Sequence, residues 1–120
     1  MPEPFSIQRS PEGNVVVLAL EGFLDAHTAP NFEAAVQEEV NAGRLQLLVD
    51  VSKLTYISSA GLGVFMGFVE EVREQGGDIK ICGAEPKVHE VFELLGFHHL
   101  FELLDDRAQG LSRFAAHSES

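Results

Sequence analysis

The stretch from Leu47 to Phe65 reads LLVDVSKLTYISSAGLGVF and determines how the chain is expected to fold. Its apolar start, Leu47 to Val49, is typical of a strand that is covered on both faces. A short polar turn then leads to Ser58 and Ser59, which stand just before an apolar pattern of helical period. A serine at a helix start has its hydroxyl beside free backbone N–H groups and the positive end of the helix dipole. The stretch therefore predicts a strand, a turn and a helix whose start suits a phosphate group.

Strand and helix patterns alternate on both sides of this stretch. Strands are predicted at Phe5–Gln8, Val15–Leu20, Leu45–Asp50 and Asp78–Cys82, with a short fifth strand between Phe97 and Leu104. Helices are predicted at 29–41, from Ser59 to about Gln75, from Pro86 to Gly96, and after a cap at Asp105 or Asp106. A helix between consecutive strands favours parallel pairing through a right-handed crossover. The chain is thus expected to be an α/β sandwich with a mixed sheet of four to five strands and about four helices.

Residue spacing also predicts what each segment buries. Gly22 to Thr28 is expected to be a loop, with Thr28 as a helix cap. The core face of the Ser59 helix is predicted to be Leu62, Phe65, Met66, Val69 and Val72, spaced three and four apart. Val64 and Phe68 fall off that face and, with Ala60 and Gly67, are expected to form a second apolar surface for a partner. The last helix is expected to bury Leu111 and Phe114, and 115–120 to be frayed.

Composition narrows the function classes. The 120 residues fit a single domain spanning 1–120, and a formal net charge of −11 argues against binding to nucleic acid or to anionic membranes. Cys82 is the only cysteine, so neither a disulfide nor a cysteine-based metal site forms within the chain. The start, Met1 to Pro4, lacks the features of a secretion signal, so a cytoplasmic location is expected.

Two motifs carry a family resemblance. The run SSAGLG at 58–63, after DVSKLTYI, resembles the signature of STAS domains, and in particular of bacterial anti-sigma-factor antagonists. The run GFLDAHT at 22–28 resembles the family's second motif. The resemblance implies that Ser59 accepts a phosphoryl group, with Ser58 as the alternative acceptor, because Ser58 stands where some relatives have an acidic residue. It also implies that Asp25 lies near the serines.

The function implied by the resemblance is a phosphorylation switch. The unphosphorylated chain would bind an anti-sigma serine kinase and free a sigma factor. The kinase would use ATP and Mg²⁺ to phosphorylate Ser59, and a phosphatase would reverse the step. The expected partner-binding residues are Asp25, Ser58, Ala60, Gly61, Gly63, Val64, Gly67 and Phe68. No catalytic residue, metal or cofactor is expected in the chain itself.

Other interpretations of the same residues stay open. Ser59 could serve only as a helix cap. A serine hydrolase lacks support, because ISSAG has no glycine two residues before Ser59, and Asp25 is expected to cap a loop. Gly61 and Gly63 miss the spacing of a dinucleotide loop and are expected to allow close backbone approach. The five histidines, two of them adjacent in the expected fifth strand, are expected at the surface rather than at a metal. A constitutive STAS scaffold subunit of a transport or stress-signalling complex is the alternative function.

Overall fold

The computed structural model describes residues 5–118. Its strands are β1 (Ser6–Glu12), β2 (Val15–Leu24), β3 (Gln46–Ile57), β4 (Asp78–Cys82) and β5 (Leu103–Leu104). Its helices are α1 (Ala29–Asn41), α2 (Ser59–Glu74), α3 (Pro86–Leu94) and α4 (Arg107–Ser118), with a 3₁₀ turn at Phe97–His99. The sheet order is β1-β2-β3-β4-β5, with β1 antiparallel to β2 and the other neighbours parallel. The predicted α/β sandwich with a mixed sheet is confirmed.

Both faces of the sheet are covered, because side chains along a strand point alternately to opposite sides. The larger core lies under α1, α2 and α3, and Phe65 of α2 forms its centre with ring contacts to four other phenylalanines. These are Phe32, Phe92, Phe97 and Phe101. The smaller core lies under α4 and contains Val15, Val17, Leu48, Cys82 and Phe114. Burial raises the pKa of the Cys82 thiol to about 12, so this cysteine packs as a small apolar residue.

The two central strands are longer than predicted. The loop expected at 22–28 begins only at Asp25, and the turn expected after Asp50 is strand as far as Ile57. Two register shifts interrupt the pairing of β2 with β3, which then resumes up to Leu24 and Ile57. The strands continue because Leu24, Leu54 and Ile57 are still buried in the main core under α1, α2 and α3, beyond the exposed Ser52 and Lys53.

The buried face of α2 differs from the predicted one. Met66, expected in the core, is 45% exposed, whereas Phe68 is only 6% exposed and Val64 is also buried. The second apolar surface predicted from Val64 and Phe68 is therefore wrong, because both side chains belong to the main core. The physical reason is that Phe65 contacts Phe32 of α1 on one flank and the phenylalanines of α3 and 97–101 on the other. A helix enclosed on two flanks buries a wider arc than one stripe.

Two local predictions at the first helix and the fifth strand are also corrected. Thr28 occupies the position before α1, but its hydroxyl donates to the Phe23 carbonyl at 2.8 Å instead of capping the helix. His98 and His99 lie in the 3₁₀ turn, not in a strand, and their ring centroids are 4.0 Å apart. Both side chains are exposed, as expected.

The last helix begins as predicted and ends later. Asp106 caps it, because its Oδ1 accepts the Gln109 N–H at 2.9 Å. α4 continues to Ser118, so the helix extends into the segment from Ala115 onward for which fraying was predicted. Residues 119–120 lie outside the described part of the chain.

Candidate partner-binding edge

The carboxyl ends of β2 and β3 bring the two sequence motifs together. Leu24 pairs with Ile57, and the Ser58 N–H donates to the Leu24 carbonyl at 2.9 Å. Asp25 follows β2, and Ser58 and Ser59 follow β3, so these residues lie at the same edge of the sheet. The resemblance predicted this proximity, and the parallel pairing of the two strands produces it.

The two serines at this edge have different environments. Ser58 occupies the cap position of α2 and Ser59 is the first helical residue, so the interpretation of Ser59 as the cap is wrong by one residue. The Ser58 Oγ is buried and makes no hydrogen bond within the described residues. Ser59 is exposed. Of the two hydroxyls, that of Ser59 is the one that another protein can reach.

Hydrogen bonds fix the Asp25 loop beside Ser59. Asp25 Oδ1 accepts the backbone N–H of His27 at 2.9 Å and that of Thr28 at 3.2 Å. The Thr28 hydroxyl accepts the Asp25 N–H at 2.9 Å, which closes the turn from the other side. Asp25 thus has the predicted loop-capping role. Its carboxylate accepts the backbone N–H of His27, whereas a hydrolytic triad would need a hydrogen bond from the imidazole.

The glycines of α2 differ in what surrounds them. A Cβ on Gly61 would lie 2.6 Å from the Leu24 Cγ and 3.2 Å from the Leu24 carbonyl oxygen, so the helix start can approach β2 only with glycine there. Close approach is therefore confirmed for Gly61. A Cβ on Gly63 or Gly67 would meet nothing within 4 Å, and both residues are exposed. For Gly63, close approach by another backbone stays a prediction, because no atom of the described residues occupies that space.

Ser59, Gly63 and Gly67 are spaced four apart, so they share the outer face of α2. Ala60 is half-buried beside them and packs against the main core. This outer face also carries Met66, which lies three positions after Gly63 and is 45% exposed, so the face combines two open glycine positions with one large apolar side chain. Val64 and Phe68 support it from inside the core and cannot present their side chains to a partner.

A partly buried ion pair fastens α4 to the face of the sheet opposite α1, α2 and α3. Asp50 Oδ2 accepts the Nε and Nη2 of Arg107 at 3.1 and 2.9 Å, and Oδ1 accepts the Ser52 N–H at 3.0 Å. Burial raises the pKa of Asp50, but the hydrogen bonds from Ser52 and Arg107 outweigh it and hold the pKa below its ordinary value. The carboxylate is thus ionised at neutral pH and its role is structural.

Sequence reasoning missed one exposed feature close to the edge. Phe23 and Tyr56 form a ring pair on the α4 side of the sheet, with centroids 5.7 Å apart. The alternation of β2 could have indicated it, because Phe23 lies an even number of residues after Val15 and Val17 and therefore points to the same side of the sheet. The predicted loop and turn assigned both aromatic residues to irregular segments instead.

The described residues show neither a metal site nor a membrane span. Residues 5–118 contain no group of three or more His, Cys, Asp or Glu side chains that could hold a metal ion. Within the same range, the helices are too short or too polar to cross a bilayer.

Comparison with known proteins identifies the family. A model of the STAS domain matches residues 6–110. BtrV of Bordetella bronchiseptica, whose name assigns it provisionally to the anti-sigma factor antagonists, is 31% identical over 83% of this chain and 86% of its own length. The anti-sigma F factor antagonist of Paenibacillus polymyxa is 24% identical over 82% of this chain and 85% of its own.

Solved structures show the same fold. An anti-sigma factor antagonist from Mycobacterium paratuberculosis superposes with a TM-score of 0.86 at 22% identity, covering 94% of this chain and 96% of that one. The unphosphorylated form of the antagonist SpoIIAA gives 0.80 at 20% identity, covering 92% and 97%. The phosphorylated form of SpoIIAA, a Bacillus cell fate determinant, gives 0.70 at 20% identity, covering 92% and 99%.

These relatives are named as antagonists, that is, as binding proteins, which confirms the prediction that the chain is not itself an enzyme. The family match covers most of the described residues, including both motifs that carried the resemblance. The chain belongs to the STAS domain family.

Proposed function

We propose that this chain is an anti-sigma factor antagonist whose binding to an anti-sigma serine kinase is switched by phosphorylation of Ser59. The unphosphorylated edge docks on the kinase, which then releases its sigma factor. The kinase transfers a phosphoryl group from ATP, with Mg²⁺, to Ser59, and a phosphatase removes it. The cycle takes place in the cytoplasm, and the net charge of −11 agrees with a protein partner rather than nucleic acid or membrane.

The observation that carries this proposal is the contrast between the two serine hydroxyls. Ser59 is exposed at the first position of α2, whereas the Ser58 Oγ is buried. A kinase can therefore reach Ser59 without unfolding the helix start. The phosphorylated form of SpoIIAA, which shares the fold, supports a phosphate on this type of protein.

The docking surface in this proposal surrounds Ser59. It consists of Asp25, Ser58, Ala60, Gly61, Gly63 and Gly67. Gly63 and Gly67 contribute open positions on the helix face that the backbone of a partner can approach. Gly61 and Ser58 contribute indirectly, because they hold the helix start against Leu24. Val64 and Phe68 are not part of the proposed surface.

Phosphorylation would change the charge of this surface and leave its shape largely intact. A phosphoserine carries about −1.5 to −2 charges at neutral pH. Within a close interface that charge must lose its water, and without a compensating cation the loss opposes docking.

The proposal is tested by incubating the chain with candidate anti-sigma kinases, ATP and Mg²⁺, and locating phosphate by mass spectrometry. We expect one phosphate on Ser59, its loss in Ser59→Ala, and its retention in the matched control Ser58→Ala. Phosphate on Ser58, or no phosphate with a kinase that binds the chain, would contradict the proposal. Stable assembly into a complex that is unaffected by Ser59→Asp would favour the scaffold function instead.

A further inference from the structure

Two strands project beyond the rest of the sheet close to Ser59. β4 pairs with β3 only as far as Asp50, and β1 pairs with β2 only as far as Glu21. Helix α4 covers the other face of the sheet only up to the level of Asp50, because its first residue, Arg107, binds the Asp50 carboxylate. Among residues 5–118, the last residues of β2 and β3 are therefore packed on the side of α1, α2 and α3, and no helix of that range covers them on the α4 side.

An aromatic pair occupies the uncovered side. Phe23 is 41% exposed and Tyr56 is 49% exposed, although their strand neighbours Leu24 and Ile57 are buried. The rings are tilted by 55° at 5.7 Å, so the two rings contact each other and keep part of their surface in solvent. Paired exposed aromatic side chains are typical of the residues that dominate protein interfaces.

The charges beside the pair favour a cation. Glu21 lies two residues before Phe23, on the same side of β2 by alternation, and Asp25 is the second residue after Phe23, just beyond the end of the strand. Lys53 lies opposite Glu21 in the register and offsets its charge, so Asp25 supplies the second negative charge at this end of β2. The backbone hydrogen bonds from His27 and Thr28 both go to Oδ1 of the Asp25 carboxylate. The whole chain adds a net charge of −11.

We propose that the Phe23–Tyr56 pair receives an arginine side chain of the protein partner that docks at the Ser59 edge. A guanidinium stacks on aromatic faces and is weakly hydrated, so it matches two exposed rings beside a carboxylate. The inference rests on the proposed function for the existence of that partner. The pair is within reach of the same interface, because the Cα atoms of Tyr56 and Ser59, three residues apart, are at most about 11 Å from each other.

A pair of substitutions separates a cation from an apolar occupant. The double variant Phe23→Leu with Tyr56→Leu keeps apolar area but removes the two π faces. The double alanine variant removes the apolar area as well as the π faces. We expect the two double variants to bind the kinase at least about tenfold more weakly than the wild type, as for an interface anchor. The control Leu95→Ala truncates a 56% exposed leucine just after the last residue of α3, and the affinity of this variant for the kinase should stay within about twofold of the wild type.

A second measurement needs no kinase. The chain contains one tyrosine and no tryptophan, so its intrinsic fluorescence reports on Tyr56 alone. We expect a tetra-arginine peptide to change this fluorescence saturably, and the neutral isostere tetra-citrulline to leave it unchanged. In the single variant Phe23→Leu the change should be reduced.

The outcomes distinguish this inference from the proposed function. If the wild type binds the kinase and the leucine variant binds equally well, the occupant is not a cation, and the inference fails while the proposed function stands. Equal responses to both peptides, or none, would also overturn it. If the wild type neither binds a kinase nor gains phosphate on Ser59, the proposed function fails. The peptide titration then decides whether the ring pair still selects a guanidinium.

Discussion

Two residues of α2 test how this helix is oriented. Phe68 is 6% exposed, so Phe68→Ala removes almost a whole buried ring, and such truncations cost about 3–5 kcal/mol of unfolding free energy. Met66 is 45% exposed, so Met66→Ala removes a side chain that is only partly buried and should cost less than about 1 kcal/mol. The sequence pattern alone predicts the opposite order, because it places Met66 in the core and Phe68 at the surface.

Circular dichroism during thermal and urea unfolding measures both variants. A domain of this size loses several degrees of Tm per kcal/mol, so Phe68→Ala should lower Tm by roughly 10–20 °C and Met66→Ala by a few degrees. The urea slope should be unchanged in both, which would exclude an altered unfolded state. If Met66→Ala proved the more destabilising, α2 would be rotated relative to the structure, and Phe68 would return to the candidate docking surface.

Three further predictions concern the helix start and the sheet. Gly61→Ala places its Cβ 2.6 Å from a side-chain carbon and should cost about 1–3 kcal/mol in urea unfolding, whereas Gly63→Ala meets open space and should stabilise the helix by about 0.5–1 kcal/mol. Ser58→Ala should lower the free energy of unfolding by less than the roughly 1 kcal/mol of a typical cap loss, because the Ser58 Oγ makes no hydrogen bond within the described residues. Thermal unfolding measures this, and a larger loss would reveal a cap bond. Arg107→Ala should lower the free energy of unfolding by about 1–3 kcal/mol at pH 7. Since the folded pKa of Asp50 is lowered, that difference should persist above the unfolded pKa of about 3.9 and vanish as the pH falls through the folded value; a difference that grew in acid would contradict the pairing.

The order of elements could be predicted because it depends on local patterns. Apolar runs such as Val15–Leu20, glycine stops such as Gly43, and the pattern of α1 each determine a strand, an end or a helix without tertiary information. The ends of β2 and β3 could not be predicted. In β3, the polar residues Ser52 and Lys53 interrupt the alternation. Only the pairing of β3 with β2 shows that Leu54 and Ile57 return to the core.

The candidate site was predictable in position and not in detail. The two motifs place Asp25 and Ser59 after neighbouring parallel strands, which is sufficient to bring them together. Which of two adjacent serines caps α2 depends on the hydrogen bond from Ser58 to Leu24, a contact 34 positions apart that no local pattern contains. The orientation of α2 likewise depends on the neighbours at its flanks, because periodicity defines an apolar stripe but not how many elements cover it.

The position of Ser59 determines how the proposed phosphorylation can act. Ser59 is exposed, and the side chains that hold α2 to the core, such as Phe65 and Phe68, point away from it. A phosphate at the first turn would also face the positive end of the helix dipole, which stabilises a negative charge there by about 0.3–1 kcal/mol. Phosphorylation is therefore not expected to unfold or rearrange the domain. Its effect on binding has to arise at the surface itself, where the added charge must be desolvated against the partner. A fold of this kind acts as a rigid platform, and the switch lies in the chemistry of one exposed hydroxyl.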